Sequence, residues 1–239
     1  MTPEQATALC APAVDRVVIG VHLRSQPRGR EVARAHGLER AGPLVEFRSA
    51  LLAGPVARAT AEGVARYFPP GALDEELRIQ AGHGMLTVDE AAGRILLTER
   101  GAVVVGELYD VHAEVTAEAW AGEADRVRRL NDLTGRLLDA GRPTGGPAFA
   151  GMSRPHERPG DPAPVVLFNR LAAFRYHRAD AHAAAWAAAG HTAATINHLA
   201  PGAERDAIEA DTNRRAAAPY RALTADERLV FLAALAALP

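Results

Sequence analysis

Lysine is absent from this 239-residue chain, and all 27 basic side chains are arginine. That excludes Schiff-base catalysis and any phosphate loop that depends on lysine. A single cysteine, Cys10, excludes an internal disulfide framework and a multi-cysteine zinc site. The longest uninterrupted apolar stretches, such as Leu229–Leu238, fall short of the ~20 residues that span a bilayer. Met1-Thr2-Pro3-Glu4-Gln5 has neither a basic start nor an apolar run after it, so no secretory signal is expected. A net charge of −2 excludes a polycation built to coat nucleic acid or an acidic membrane. The expectation is a soluble cytoplasmic protein without a membrane partner.

With 48% hydrophobic and 23% charged residues, the composition is that of an ordinary globular protein. A chain this long buries roughly 70–75% of its unfolded surface, which is ample for a core. Abundant alanine and an all-arginine basic set point to GC-rich, actinobacterial coding. Residues 3–23 read as a helix capped by Thr2, with Pro27 as an interruption and a short basic helix over 29–36 ending at Gly37. Leu44, Phe47, Leu51 and Leu52 have helical spacing over 43–53. Gly54-Pro55 breaks the chain, and a further helix is expected over 55–67, stopping before Pro69-Pro70.

Residues 72–101 carry the most local information. A short helix over 73–81 ends at Gly82-His83-Gly84. Met85–Val88 and Arg94–Leu97 read as two strands joined by the polar turn Asp89–Gly93. Thr98 then caps a new helix. Helix, two-stranded wing and helix make the second half of a winged helix, and Leu97-Thr98-Glu99-Arg100-Gly101 resembles what MarR-type regulators carry after their wing.

Residues 102–140 read as helical with a break at Gly122, and Leu130, Leu133, Leu137 and Leu138 form a stripe suited to a core or to a partner helix. Six prolines and five glycines fall within 141–164, marking a long loop or linker. Helices are expected over 165–189, 192–199, 203–217 and 224–238. The expected organisation is therefore mainly α. A winged-helix-like N-terminal unit (1–140) with one short β-hairpin precedes the Pro/Gly-rich segment 141–164 and a helical C-terminal unit (165–239).

Several strings occur together in a familiar order. They are Arg48, Leu52, Gly54-Pro55-Val56, Ala59, Phe68 and Pro70; Gly141-Arg142-Pro143; His177-Arg178-Ala179-Asp180-Ala181-His182; Ala184-Ala185-Trp186; Ala189-Gly190; Ile208 to Asn213; and Ala217-Ala218-Pro219-Tyr220. In this order they resemble an actinobacterial helix-turn-helix family that includes the SalK-like proteins and is related to MarR-type regulators. The resemblance covers about two-thirds of the chain. It departs in two places. The family's winged-helix segment lies between the histidine-rich helix and the Ile-Glu helix, where this chain has only about residues 190–207. Asn213 stands where the family usually has aspartate. The resemblance implies a winged-helix fold, a homodimer and a small-molecule-responsive transcriptional regulator.

If 55–101 is a winged helix, residues 73–81 take the position that reads DNA. Arg78 and Gln80 there, with Arg94 and Arg100 beside the wing, are the candidate contacts to double-stranded DNA. Asp74, Glu75 and Glu76 oppose phosphate contact and suit a helix N-terminus better. The alternative is a binder or enzyme of specialised metabolism that does not bind DNA. A third reading is an interaction scaffold.

For chemistry, the histidine-rich helix stands out. His177 and Asp180 share one face, and Arg178 and His182 share a neighbouring one. His177 and His182 diverge by about 140°, so no metal site is expected from them, and no cofactor is implied. Asp180 can orient a histidine as acid or base, or Arg178 can bind a carboxylate or phosphate. The plainer reading is a structural network. Glu209 and Thr212 complete the ligand-binding set of His177, Arg178, Asp180, His182, Glu209 and Thr212. Cys10 reads as a small core residue.

Overall fold

In the computed structural model, which describes residues 1–239, helix α1 (Pro3–Ala35) continues through both Pro12 and Pro27. Its start follows the sequence. The Thr2 hydroxyl accepts from the Gln5 N–H at 3.2 Å, and the Gln5 side chain accepts from the Thr2 N–H at 2.9 Å. Its continuation corrects the expected stop at Pro27. A proline deprives the carbonyl four residues earlier of its partner. Those carbonyls belong to Ala8 and Leu23, both on the exposed face of α1, where water can take the place of the lost bonds. The opposite face buries Cys10, Val14, Val17, Val18 and Val21. By length and hydropathy α1 is apolar enough to cross a membrane, although the expected organisation had no such segment. In the fold its valines are core, packed against the helices described below.

The chain is mainly helical: 70% of residues are in helices and 4% in strands. After α1 come α2 (Pro43–Ala53), β1 (Val56–Ala57), α3 (Arg58–Val64), α4 (Ala72–Gly82), β2 (Leu86–Asp89) and β3 (Arg94–Leu97). The hairpin is where the sequence placed it, with Leu86 opposite Leu97 and Asp89 opposite Arg94. The short strand β1 replaces the first turn of the helix expected over 55–67. Pro55 and the extended Val56 let the chain pair Val56 with Ile95, giving an antiparallel sheet of order β1-β3-β2. The buried Val56, Leu86 and Ile95 seat this sheet on the core.

Thr98 then caps α5 (Glu99–Ala119) by accepting from the Gly101 N–H at 3.0 Å. Only glycine fits at 101, since a Cβ there would run into the Met85 carbonyl. Gly122, with φ +85°, separates α5 from α6 (Ala124–Gly141). Leu130, Leu133, Leu137 and Leu138 are buried in the core and not on a free seam.

The Pro/Gly-rich stretch 141–164 is not featureless. It contains α7 (Pro147–Met152), whose Ala148, Phe149 and Met152 are buried against α3 and α8 (Ala163–Ala188). Of the helix expected over 192–199, only the single turn α9 (Ala193–Ile196) forms. It is followed by α10 (Ala203–Ala216), a 3₁₀ turn (Pro219–Ala222) and α11 (Ala225–Ala237). One hydrophobic cluster extends from Ala6 to Leu238. Helix α1 packs on α5, α8, α10 and α11, so N- and C-terminal elements share that cluster.

A polar group is built into this core where α1, α2, α5 and α8 meet. Arg48 is 2% exposed. It donates to the Asn169 Oδ1 at 2.7 Å and to the Val45 carbonyl at 2.9 Å, and its guanidinium lies 4.7 Å from the Phe168 ring centre. The Phe168 ring stacks on His112, and His22 meets both edge-on. Arg48 Nε, Asn169 Nδ2 and His112 Nε2 have no partner.

Candidate functional site

Helix α8 delivers the histidine-rich string to two environments. Its inner side faces Thr7, Ala11, Val14 and Asp15 of α1, Ala216 of α10 and Tyr220 of the 3₁₀ turn. Between them lies a cavity of about 220 Å³ that also touches Phe174, Arg175, His177, Arg178 and His182. Toward α9 and α10 a second lobe of about 370 Å³ opens, lined by Ile196, Asn197, Arg205, Ile208 and Glu209. Tyr67, Arg178 and His182 line both lobes and mark the neck, where the two adjoin.

His182 is positioned by a relay across the fold. The Trp186 Nε1–H donates to the Tyr67 hydroxyl at 3.1 Å, and that hydroxyl lies 2.8 Å from His182 Nδ1. The indole can only donate, so the tyrosine oxygen accepts from it; in the Nε2–H tautomer of His182 the hydroxyl donates its own hydrogen to Nδ1 and both polar groups are satisfied. In the neutral ring the proton then sits on Nε2, which has no partner within the protein. Burial holds the His182 pKa below its ordinary value; Arg178, Arg66 and Arg205 push in the same direction, while Glu209 opposes them. The neck therefore presents a neutral imidazole with one open donor at pH 7.

His177 is 2% exposed and sits between Phe149, which meets it edge-on, and Phe174, which stacks on it. Its Nε2 lies 2.9 Å from the Thr144 hydroxyl, and burial lowers its pKa to about 4. Arg178 pairs with Glu209 across to α10. Nearby, Arg175 pairs with Asp15 at 2.7 Å, tying α8 to α1.

Two residues expected at a ligand do not reach the cavity. Asp180 pairs with Arg66 and accepts from the Phe149 N–H at 2.8 Å. No hydrogen bond joins it to a histidine; helical rotation turns it toward α7 and the turn that follows α3. Thr212 is fully buried, and its hydroxyl donates to the Ile208 carbonyl one turn back at 2.8 Å. Cys10 is buried, and burial pushes its thiol up to about 12, which removes it as a nucleophile.

The expected DNA contacts are scattered. Gln80 is 1% exposed, beneath Gly42, and cannot reach a base. Arg78 is bound by Glu75 on its own helix, and Asp74 by Arg58. Arg94 is exposed in β3, while Arg100 donates to the His36 carbonyl at 2.8 Å. The exposed face of α4 offers Asp74, Glu75 and Arg78, and the hairpin turn adds Asp89 and Glu90.

Tyr67, Arg66, Asn197 and Arg205 escaped the sequence reading of the site. Tyr67 and His182 are separated by 115 residues, and no local spacing marks that pairing. Comparison with protein-family models, curated proteins and solved structures finds no match for this chain.

Proposed function

We propose that this protein binds a small organic molecule in the two-lobed cavity at the α1–α8–α10 junction, carried on a winged-helix frame that does not read DNA. The observation that carries this reading is the Trp186–Tyr67–His182 relay, which aims an unpartnered donor into the neck of a cavity with room for a ligand. The inner lobe offers the apolar surfaces of Val14, Phe174 and Tyr220, and the neck offers a hydrogen bond. In this soluble, cytoplasmic reading the apolar face of α1 serves as core and as one wall of the cavity.

A neutral fluorophore, N-phenyl-1-naphthylamine, probes the apolar lobe directly. It is expected to bind saturably with one molecule per chain. Ala11→Trp, which projects a large ring into the lobe, is expected to weaken binding at least about tenfold, or 1.4 kcal/mol. Unsaturable binding, or binding that ignores Ala11→Trp, sinks the cavity reading.

The order α2-β1-α3-α4-β2-β3, with β3 central in its sheet, supports a winged helix and with it the regulator as a second reading. Charge argues against DNA readout. Reading a duplex needs arginines free to meet phosphates and base edges, and here α4 and the hairpin turn present carboxylates. Titration with a random-sequence duplex at 50 to 200 mM salt is expected to show no binding that weakens steeply with salt. Such a dependence, reduced by Arg94→Ala and Arg100→Ala, would restore the regulator.

A further inference from the structure

The charges around the outer lobe are unbalanced, and the imbalance narrows the ligand. Two guanidinium groups, Arg178 and Arg205, face one carboxylate, Glu209. Glu209 pairs with Arg178 alone. Arg205 holds only the Leu199 carbonyl, at 3.3 Å. Arg178 Nε is buried without a partner. The neck adds His182, whose Nε2 has no partner in the protein and is a donor in the tautomer that accepts the Tyr67 hydroxyl at Nδ1. Asn197 contributes a side-chain amide with no bond inside the protein. The outer lobe is thus donor-rich and carries one uncompensated positive charge. The inner lobe differs. Arg178 is shared between the lobes; the cation that belongs to the inner lobe alone, Arg175, is already neutralised by Asp15, and Val14, Phe174 and Tyr220 give that lobe aliphatic and aromatic surface.

From this asymmetry we infer that the ligand is an organic monoanion with an aromatic or similarly flat apolar body. The body lies in the inner lobe against Phe174 and Tyr220, whose rings meet edge-on in its wall. The acid group, a carboxylate, sulfonate or phosphate diester, lies in the outer lobe against Arg205, Arg178 and His182. Arginine suits this role because its planar fork meets an oxyanion with two parallel hydrogen bonds. Glu209 acts as the occupant of Arg178 that the acid group displaces. This inference rests on the cavity reading above and adds the charge of the ligand to it.

The test compares two fluorophores with one ring framework, 8-anilinonaphthalene-1-sulfonate and N-phenyl-1-naphthylamine, which differ by the sulfonate. Both are titrated into the full chain at pH 7.5 and constant ionic strength. The sulfonate is expected to bind at least about tenfold more tightly. Arg205→Gln is expected to remove most of that preference without changing binding of the neutral probe. Glu209→Gln is expected to strengthen sulfonate binding a few-fold and leave the neutral probe unaffected, a gain that damage to the fold would not produce. Ala11→Trp should weaken both probes. Equal affinities in the wild-type chain, or a preference that survives Arg205→Gln and ignores Glu209→Gln, overturn the anion and leave the cavity standing. Failure of both probes to bind saturably overturns the cavity reading and the anion with it.

Discussion

Replacing Asp180 with alanine is expected to lower the folding free energy by about 3–5 kcal/mol, the range for breaking a buried ion pair by removing one partner. The Asp180 side chain is 6% exposed and that of Arg66 13%. Arg66 also donates to the Gly63 carbonyl at 2.5 Å and the Ala179 carbonyl at 3.0 Å, so it is held in place and cannot swing out to water when its partner is lost. The second Asp180 oxygen accepts from the Phe149 N–H in the first turn of α7, a turn with no side-chain cap of its own. The fit is close: a Cβ on Gly146 would press on the Asp180 carboxyl carbon. One side chain thus fastens the turn after α3, the start of α7 and α8. Asp180→Asn keeps an acceptor for Phe149 and loses the charge, so its cost should fall between wild type and Asp180→Ala. Urea denaturation of the three proteins reads the differences. An alanine variant within 1 kcal/mol of wild type would show that the carboxylate is no staple and reopen its role at a ligand. In the folded fraction of the variant, the neutral naphthylamine should still bind, because Asp180 lies outside the cavity wall.

That outcome bears on how a histidine-rich motif is read. His177, Arg178, Asp180 and His182 are close in sequence, and the chemistry of the set points to one polar site. The helix distributes them among different neighbours. Asp180 goes to Arg66, His177 to Thr144, Arg178 to Glu209 and His182 to Tyr67. Helical periodicity supplies the angles between these side chains, but the identity of each neighbour depends on how α3, α7 and α10 pack, which no local spacing records.

Elements with strong local signals were legible. Thr98 and Gly101 mark the start of α5, Gly122 separates α5 from α6, and Asp89–Gly93 turn the hairpin. Elements whose form is decided by tertiary contacts were not. Pro27 sits on a solvent-facing stripe that tolerates a missing hydrogen bond, so α1 passes through it. Val56 becomes a strand because Ile95 offers it a partner. The 141–164 stretch has the composition of a linker, yet Phe149 and Met152 find apolar surface on α3 and α8. Among site residues, Glu209 was placed from sequence at the ligand and lines the outer lobe. Gln80 was placed at DNA and is buried, because α4 turns its Leu73, Leu77 and Gln80 face inward.

The Arg48→Met/Asn169→Leu double variant is expected to be more stable than the wild type by about 1–4 kcal/mol, as when buried ionic groups give way to well-packed apolar ones. Arg48 has no carboxylate bonded to it, and burial is the main cause that lowers its pKa from 12.5 to about 10. A basic group whose folded pKa lies below its unfolded value is charged at a cost to the fold. That cost is complete below pH 10 and fades as pH rises from 10 toward 12.5. The shift corresponds to about 3 kcal/mol at pH 7. The field of Glu46 already offsets part of the burial cost within that figure, and the face of Phe168 beneath the guanidinium adds a further attraction. Arg48→Met alone should gain less, because it strands the Asn169 amide, whose Nδ2 already lacks a partner. Adding Asn169→Leu removes that penalty, so the two substitutions should be markedly non-additive. A double variant less stable than wild type would mean that the guanidinium is compensated in a way its hydrogen bonds do not reveal. If the gain is observed, this core retains a costly cation against its own stability. The polar junction of α1, α2, α5 and α8 would then be kept for something other than folding.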